Sequence, residues 1–379
     1  MIFHVVSLPH TLTTKEFLSC AYTQKVLKFC AMMKSLGHKV YHYGGEGSAP
    51  DCTEHITVVS KQERQKWWGH NDTSKEFYDI EWNQKLEYWS IPNARAIKEI
   101  KKRIQPKDFV CLIGGNCQKQ IGDAFSDNMV VEFGIGYEGT FAKYRVFESY
   151  AWMHHVYGLQ QTKNGQNYDT VIPNYFDPAD FAIEQKEDYY LYIGRLISRK
   201  GPHVAAEVCK RLGAKLKVAG QGAIDVTPGT ILTKEITISA PLLEYVGTVG
   251  VEERKHLMAR AKAVFVQTQY IGPFEGVAVE AMLSGTPVIT TDWGVFNETV
   301  IDGVTGYRTR SLGEAMWAAK EAERLDPQKI RTIAMDKYGM DVVKYRYQDY
   351  FKQLLTLWDK GWYTEEYDPT DKRELGHFQ

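Results

Sequence analysis

The stretch Gly272-Pro-Phe-Glu-Gly-Val-Ala-Val-Glu-Ala-Met-Leu-Ser-Gly-Thr-Pro287 decides how this chain is read. Short β-branched runs flank it, Ala263–Gln267 before and Val288–Thr291 after, and its middle, Val277–Leu283, reads as a helix. Strand, glycine-bearing loop, helix, strand is the repeating unit of a parallel sheet. Gly276 allows a ligand to approach the backbone closely, and the amides that open the helix carry positive character. Glu275 and Glu280 can accept hydrogen bonds from sugar hydroxyls. The segment therefore suggests a site for a phosphorylated, hydroxyl-rich ligand.

The same alternation extends in both directions. Tyr189–Ile193, Leu216–Ala219 and Leu243–Val246 read as strands, with helices at Pro202–Leu212 and Glu252–Arg260. In the first half, Ile2–Ser7, Lys39–Tyr43, Phe109–Ile113 and Met129–Phe133 read as strands, the last two running into Gly114-Gly115 and into Gly134 and Gly136. A helix is expected over Thr14–Leu36, opened by Thr13 or Thr14 and closed by Gly37, and another around Asn93–Arg103. Between the halves, 171–188 carries two prolines and then a polar run, as a crossing between domains does. Two consecutive Rossmann-like domains follow, 1–175 and 176–344. The stretch Lys344–Trp362 places Tyr347, Tyr350, Phe351, Leu354, Leu355 and Trp358 at helical spacing, so 345–379 is expected to cross back to the first domain.

Composition narrows the function. With 379 residues, 44% hydrophobic and 25% charged, the chain is long enough for two substantial cores. A net charge of -1 argues against a nucleic-acid binder that works by phosphate neutralisation, and Lys98–Arg103 reads as a solvated helix face. The six cysteines form no Cys-x-x-Cys pair and read as reduced structural thiols. No signal peptide or membrane span is visible, so the expected location is cytoplasmic. His154-His155 has no ligand partner at metal spacing, and no metal is expected.

Chemistry concentrates after the strand at 189–193, in Gly194-Arg-Leu-Ile-Ser-Arg-Lys-Gly201. Arg195 offers a planar fork for phosphate oxygens and Lys200 a point charge, at the strand end where α/β proteins bind ligands. A solvated turn accounts for this loop equally well. Trp67, Trp68, Trp82 and Trp89 can stack on sugar rings or fill the core.

Several ordered motifs resemble family 4 of the retaining glycosyltransferases, the glycosyl transferases of group 1. They are the Gly194–Gly201 loop, Ala219-Gly-Gln-Gly222, Tyr245-Val-Gly247, Glu280-Ala-Met-Leu-Ser-Gly-Thr-Pro-Val-Ile289, Trp293-Gly-Val-Phe-Asn-Glu298 and Asp302-Gly-Val-Thr-Gly-Tyr307, with Val171-Ile-Pro-Asn174 before them. The resemblance covers 171–310 by motif and the first 170 residues by architecture. It implies the GT-B fold, two Rossmann-like domains facing across a cleft, with a nucleotide sugar on the second and an acceptor on the first. Arg195 and Lys200 would grip the donor diphosphate without a metal or other cofactor. Glu280 would bind the ribose, Gly276 and Val277 amides would meet the distal phosphate and sugar, and Tyr245 and Val246 would line the base pocket, with Gly194 and Phe274 also on the donor side.

The chain departs from the family pattern twice. The family glutamate eight positions before Glu280 is Gly272 here, while Glu275 stands where a glycine is common. Glu275 is then either a catalytic contact to the donor sugar or a solvent-facing loop residue. The loop Ser7–Thr14 lacks a glycine pair. His10 either contacts phosphate there or is exposed beside an N-capping threonine. Glu132, Gly136 and Tyr137 would lie on the acceptor side or serve the core. The implied activity is metal-independent, retaining transfer of a hexose-type sugar from a nucleoside diphosphate to a glycan or other hydroxyl acceptor. A non-catalytic nucleotide-sugar binder and an epimerase are the alternatives.

Overall fold

A computed structural model describes residues 1–17, 20–69, 80–358 and 362–363. The chain divides into two compact units, one of Met1–Glu148, Met153–Tyr175 and the chain from Met340, the other of Ser149–Trp152 and Phe176–Gly339.

The first unit runs β1 (Ile2–Val6), α1 (Ala21–Ser35), β2 (Lys39–Gly45), β3 (Glu54–Val59), α2 (Lys61–Trp68), α3 (Glu87–Lys101), β4 (Phe109–Leu112), α4 (Lys119–Ala124), β5 (Met129–Ile135), β6 (Tyr144–Phe147), α5 (Tyr150–Leu159) and β7 (Thr170–Val171). Its seven strands lie in the order β3-β2-β1-β4-β5-β6-β7, every pair parallel. Winding proceeds outward from β1, then reverses to β4. Helices on both faces bury the central strands, which is why β4 is buried along its whole length.

Helix α1 begins at Ala21, not at Thr14, and its N-cap Cys20 makes no side-chain cap bond. The threonines do other work. Thr13 is buried, shares a 3.1 Å hydrogen bond with His42 through Oγ1, and donates its N–H to Ser48 Oγ at 3.1 Å. These ties hold the chain across the end of β2, so residues 11–17 run as bends and turns, not as helix.

The second unit contains β8 (Tyr190–Ile193), α6 (Pro202–Leu212), β9 (Leu216–Ala219), β10 (Ala223–Thr227), β11 (Thr230–Thr233), β12 (Thr237–Ser239), β13 (Leu243–Gly247), α7 (Val251–Arg260), β14 (Val264–Val266), α8 (Gly276–Leu283), β15 (Val288–Thr291), α9 (Phe296–Thr299), β16 (Gly306–Thr309), α10 (Leu312–Ala322) and α11 (Pro327–Tyr338). Its six-stranded parallel sheet has the order β13-β9-β8-β14-β15-β16, the same winding about β8 and β14 as about β1 and β4. Strands β10, β11 and β12 form a separate antiparallel sheet, an insertion the sequence reading does not contain.

Helix α12 (Met340–Leu354) returns to the first unit, where the Phe351 ring meets Phe3 at 4.8 Å and Tyr347 meets Phe29 at 5.3 Å. It ends at Leu354 rather than continuing to Trp362. Beyond it β17 (Leu357–Trp358) pairs antiparallel with β18 (Trp362–Tyr363). The remainder of the expected 345–379 crossover, 359–361 and 364–379, lies outside the described residues. No described helix is long and apolar enough to cross a membrane.

Candidate active site

In a doubly wound sheet, ligands bind beyond the carboxyl ends of the strands where the winding reverses. In the second unit that place lies between the loops that leave β8 and β14. Glycine lets these backbones meet. Gly201 has φ 72°, and a Cβ there would lie 2.2 Å from the Gln267 carbonyl oxygen; one on Gly220 would lie 1.9 Å from that of Gly194. The Gln269 N–H donates to the Arg199 carbonyl at 2.7 Å and completes the join.

The join sets Lys200 against Glu275. The Lys200 ammonium lies 2.7 Å from Oε1 and 2.6 Å from Oε2 of Glu275, and Thr268 Oγ1 donates to Oε2 at 3.2 Å. The Glu275 side chain is only 4% exposed, so it is not a solvent-facing loop residue. Ammonium and hydroxyl compensate its desolvation, and without them that burial would be costly. Its backbone is left-handed, with φ 59° and ψ 60°, which for a non-glycine residue stores about 1–3 kcal/mol and is typical of functional sites. Gly272 belongs to the same arrangement, because an added Cβ would lie 2.2 Å from Glu275 Oε1.

Helix α8 opens at Gly276, directly after Glu275, so the amides of Gly276 and Val277 begin the helix beside the paired carboxylate. Arg195 is exposed on the β8 loop, and its carbonyl accepts a 2.8 Å bond from the Tyr192 hydroxyl. Phe274 does not face a ligand. It is 2% exposed, stacked on Phe176 at 6.4 Å and edge-on to Tyr338 at 5.7 Å, where it anchors the loop in the core.

Three further residues hold this loop pair: Tyr270 and Glu235, which the sequence reading does not single out, and Trp293, which it contains only as part of the Trp293–Glu298 motif. The Tyr270 ring lies 4.4 Å from the Arg199 guanidinium carbon and 5.1 Å from the Lys200 nitrogen. Glu235, in the turn between β11 and β12, accepts the Ser198 N–H at 2.8 Å, so the inserted sheet braces the cationic loop. Trp293 donates its indole N–H to the Thr268 carbonyl at 3.1 Å. Only tertiary folding brings these residues together, and no local spacing signals them.

Glu280, on α8, is half-buried and bonded to Arg254 of α7 at 3.1 Å. The Tyr245 hydroxyl donates to the Gly220 carbonyl at 2.8 Å, tying β13, with its half-buried Val246, to the turn that touches Gly194. The donor-side candidates thus share one end of one sheet.

The first unit treats its candidates differently. Glu132 is fully buried at β5, with Oε2 accepting the N–H groups of Phe141 and Ala142 at 2.8 Å each and Oε1 accepting the Tyr137 hydroxyl at 3.1 Å. Burial pushes its carboxyl up to about 7 against the pull of these bonds. Tyr137 is half-buried, and the Gly136 carbonyl accepts the Tyr22 hydroxyl at 2.8 Å. His10 is not exposed. At 5% exposure it sits among the rings of Trp68, Trp82 and Trp89, and burial lowers its ring to about 3, so it is neutral at physiological pH. Trp89 is wholly buried, Trp67 and Trp68 partly so, and Trp82 is 50% exposed.

A cavity of about 610 Å³ opens at the amino end of the second sheet, lined in part by Asp188, Lys215, Leu242 and Lys262. Two of the lysines that line it are paired, Lys215 with Glu244 and Lys262 with Asp188 and Glu323. It lies at the opposite end from Lys200 and Glu275. Among the described residues no three His, Cys, Asp or Glu side chains group to hold a metal ion.

Residues 175–325 match the model of the family described as glycosyl transferases group 1. Over 167 residues the chain is 33% identical to glycogen synthase of Mycobacterium tuberculosis, a match that covers 41% of this chain and 40% of that relative. Two solved structures share the fold over nearly all of the chain. Sucrose-phosphate synthase from Thermosynechococcus elongatus has a TM-score of 0.65 at 14% identity, covering 94% of this chain and 99% of that one. The Anabaena protein HepE, solved with UDP and glucose, has a TM-score of 0.59 at 14% identity, covering 93% and 99%. The matched segment contains every element of the Lys200–Glu275 site and is similar to the glycosyl transferases of group 1, while the solved structures show that the chain has the GT-B fold.

Proposed function

We propose that this protein is a retaining glycosyltransferase that moves a hexose-type sugar from a nucleoside diphosphate to a hydroxyl of a glycan or other acceptor, without a metal. The observation that carries the reading is the junction of the β8 and β14 loops, where Lys200 meets Glu275 at the start of α8, with Arg195 exposed on the same β8 loop. Cations and helix-opening amides there match a diphosphate leaving group, and the carboxylates match sugar hydroxyls. The bound nucleotide and sugar of the Anabaena structure are of the same chemical class. In the proposed reaction the bond from the sugar carbon to phosphate breaks as the acceptor oxygen bonds on the same face, and the acceptor proton passes to a donor phosphate oxygen. Lys200 and Arg195 stabilise the charge that develops on the diphosphate, and Glu275 borders the sugar. A panel of nucleotide sugars, scored first by thermal stabilisation and then by transfer, identifies the donor. With that donor, Arg195→Ala is expected to lower turnover by about 10²–10³-fold. Full turnover by that variant refutes the assignment.

A further inference from the structure

We propose that Gly272 and Glu275 act as one unit that limits how tightly the nucleoside diphosphate product is held on Lys200. The inference rests on the donor reading above. An ammonium group has three N–H donors, and both Glu275 oxygens lie within 2.7 Å of this one. The carboxylate reaches Lys200 through the space beside Gly272: an added Cβ there would lie 2.2 Å from Oε1, 2.9 Å from Cδ and 3.0 Å from Cγ of Glu275. The left-handed backbone at Glu275 fixes the root of the side chain, and Thr268 fixes its far end. Gly272 is the residue that leaves room for the pair.

A phosphate on Lys200 therefore competes with a carboxylate that is already placed, in surroundings that expose only 20% of the lysine side chain and 4% of the glutamate. Two anions at one largely buried cation repel more strongly than they would in water. The repulsion does not act equally on donor and product. In the donor the distal phosphate is esterified to the sugar; once the sugar leaves, that phosphate gains about one further negative charge near neutral pH, since its last ionisation lies near 6. Glu275 thus opposes the product more than the donor and favours its release.

Calorimetry on the full chain at one fixed salt concentration tests this, with UDP, GDP and ADP as probes and the glucose ester of each for comparison. Glu275→Gln is expected to bind the preferred nucleoside diphosphate about tenfold or more tightly than the parent, and its sugar ester with a much smaller gain. Gly272→Ala is expected to move in the same direction. The three atoms nearest its Cβ all belong to the Glu275 side chain, not to backbone, so that side chain is expected to shift off Lys200. In a Lys200→Gln background the effect of Glu275→Gln is expected to vanish. Equal or weaker diphosphate binding by both Glu275→Gln and Gly272→Ala, while the parent binds, overturns the inference and leaves the donor reading standing. Absence of binding by every form removes the donor reading and the inference with it.

Discussion

Replacing Glu132 with glutamine is expected to stabilise the protein at alkaline pH and to have little effect on its stability in acid. The carboxyl is fully buried, and burial raises its pKa from 4.5 to about 7. In the folded chain the group therefore keeps a proton that the unfolded chain has already lost between those two values. A raised folded-state pKa contributes stability that is fully present below pH 4.5 and lost as pH rises through about 7. The interval of about 2.5 units corresponds to about 3 kcal/mol at 1.36 kcal/mol per unit. Glutamine is the uncharged counterpart at every pH. Its amide oxygen can accept the Phe141 and Ala142 N–H groups, and its amide nitrogen can face the Tyr137 oxygen, so the three contacts of Glu132 survive. Urea titrations of parent and variant near pH 5 and near pH 8 isolate the effect, because every other titrating group is common to both. The variant is expected to exceed the parent by only about 1 kcal/mol near pH 5 and by about 3 kcal/mol near pH 8. A difference that is the same at both pH values, or that favours the variant only in acid, refutes the reasoning.

Gly201→Ala combines a left-handed φ of 72° with a Cβ 2.2 Å from a backbone oxygen, neither of which relaxes easily. It is expected to cost about 2 kcal/mol or more in thermal denaturation and to weaken nucleoside diphosphate binding by separating the β8 and β14 loops. Phe274→Ala removes a ring buried between Phe176 and Tyr338 and is expected to cost about 3–5 kcal/mol. Phe274→Leu, which keeps most of the volume, is expected to leave the donor KM unchanged. A raised KM in a stably folded Phe274→Leu protein returns Phe274 to the donor site.

What the sequence made legible follows from the range of each signal. Strands β9 and β15 and helix α6 fall at the expected residues, since burial period and terminal glycines are local properties. The start of α1 was not legible, because the bonds that hold Thr13 out of the helix come from Ser48 and His42, well along the chain. The interior of His10 was hidden likewise, since three tryptophans from 68 to 89 supply it. At the candidate site, residue types and loops were readable from the motifs. That Gly272 and Glu275 are one arrangement was not, because the link is a volume shared by a glycine and a carboxylate.

The two units present the same winding to a ligand and line it with opposite chemistry. The loop after β8 carries Arg195, Arg199 and Lys200, whereas its counterpart after β1, Ser7–Thr14, carries no side chain that is charged at neutral pH once burial has lowered His10 to about 3. Sheet order alone directs a ligand to both places. Desolvating a diphosphate without cations is prohibitive, so on the proposed donor reading the phosphate belongs with the β8 loop rather than with Ser7–Thr14. The Ser7–Thr14 loop itself carries hydroxyls, and its His10 lies beside ring faces, of which Trp82 is half exposed. On that reading topology sets the place in each unit, and the few side chains its loops deliver decide the ligand.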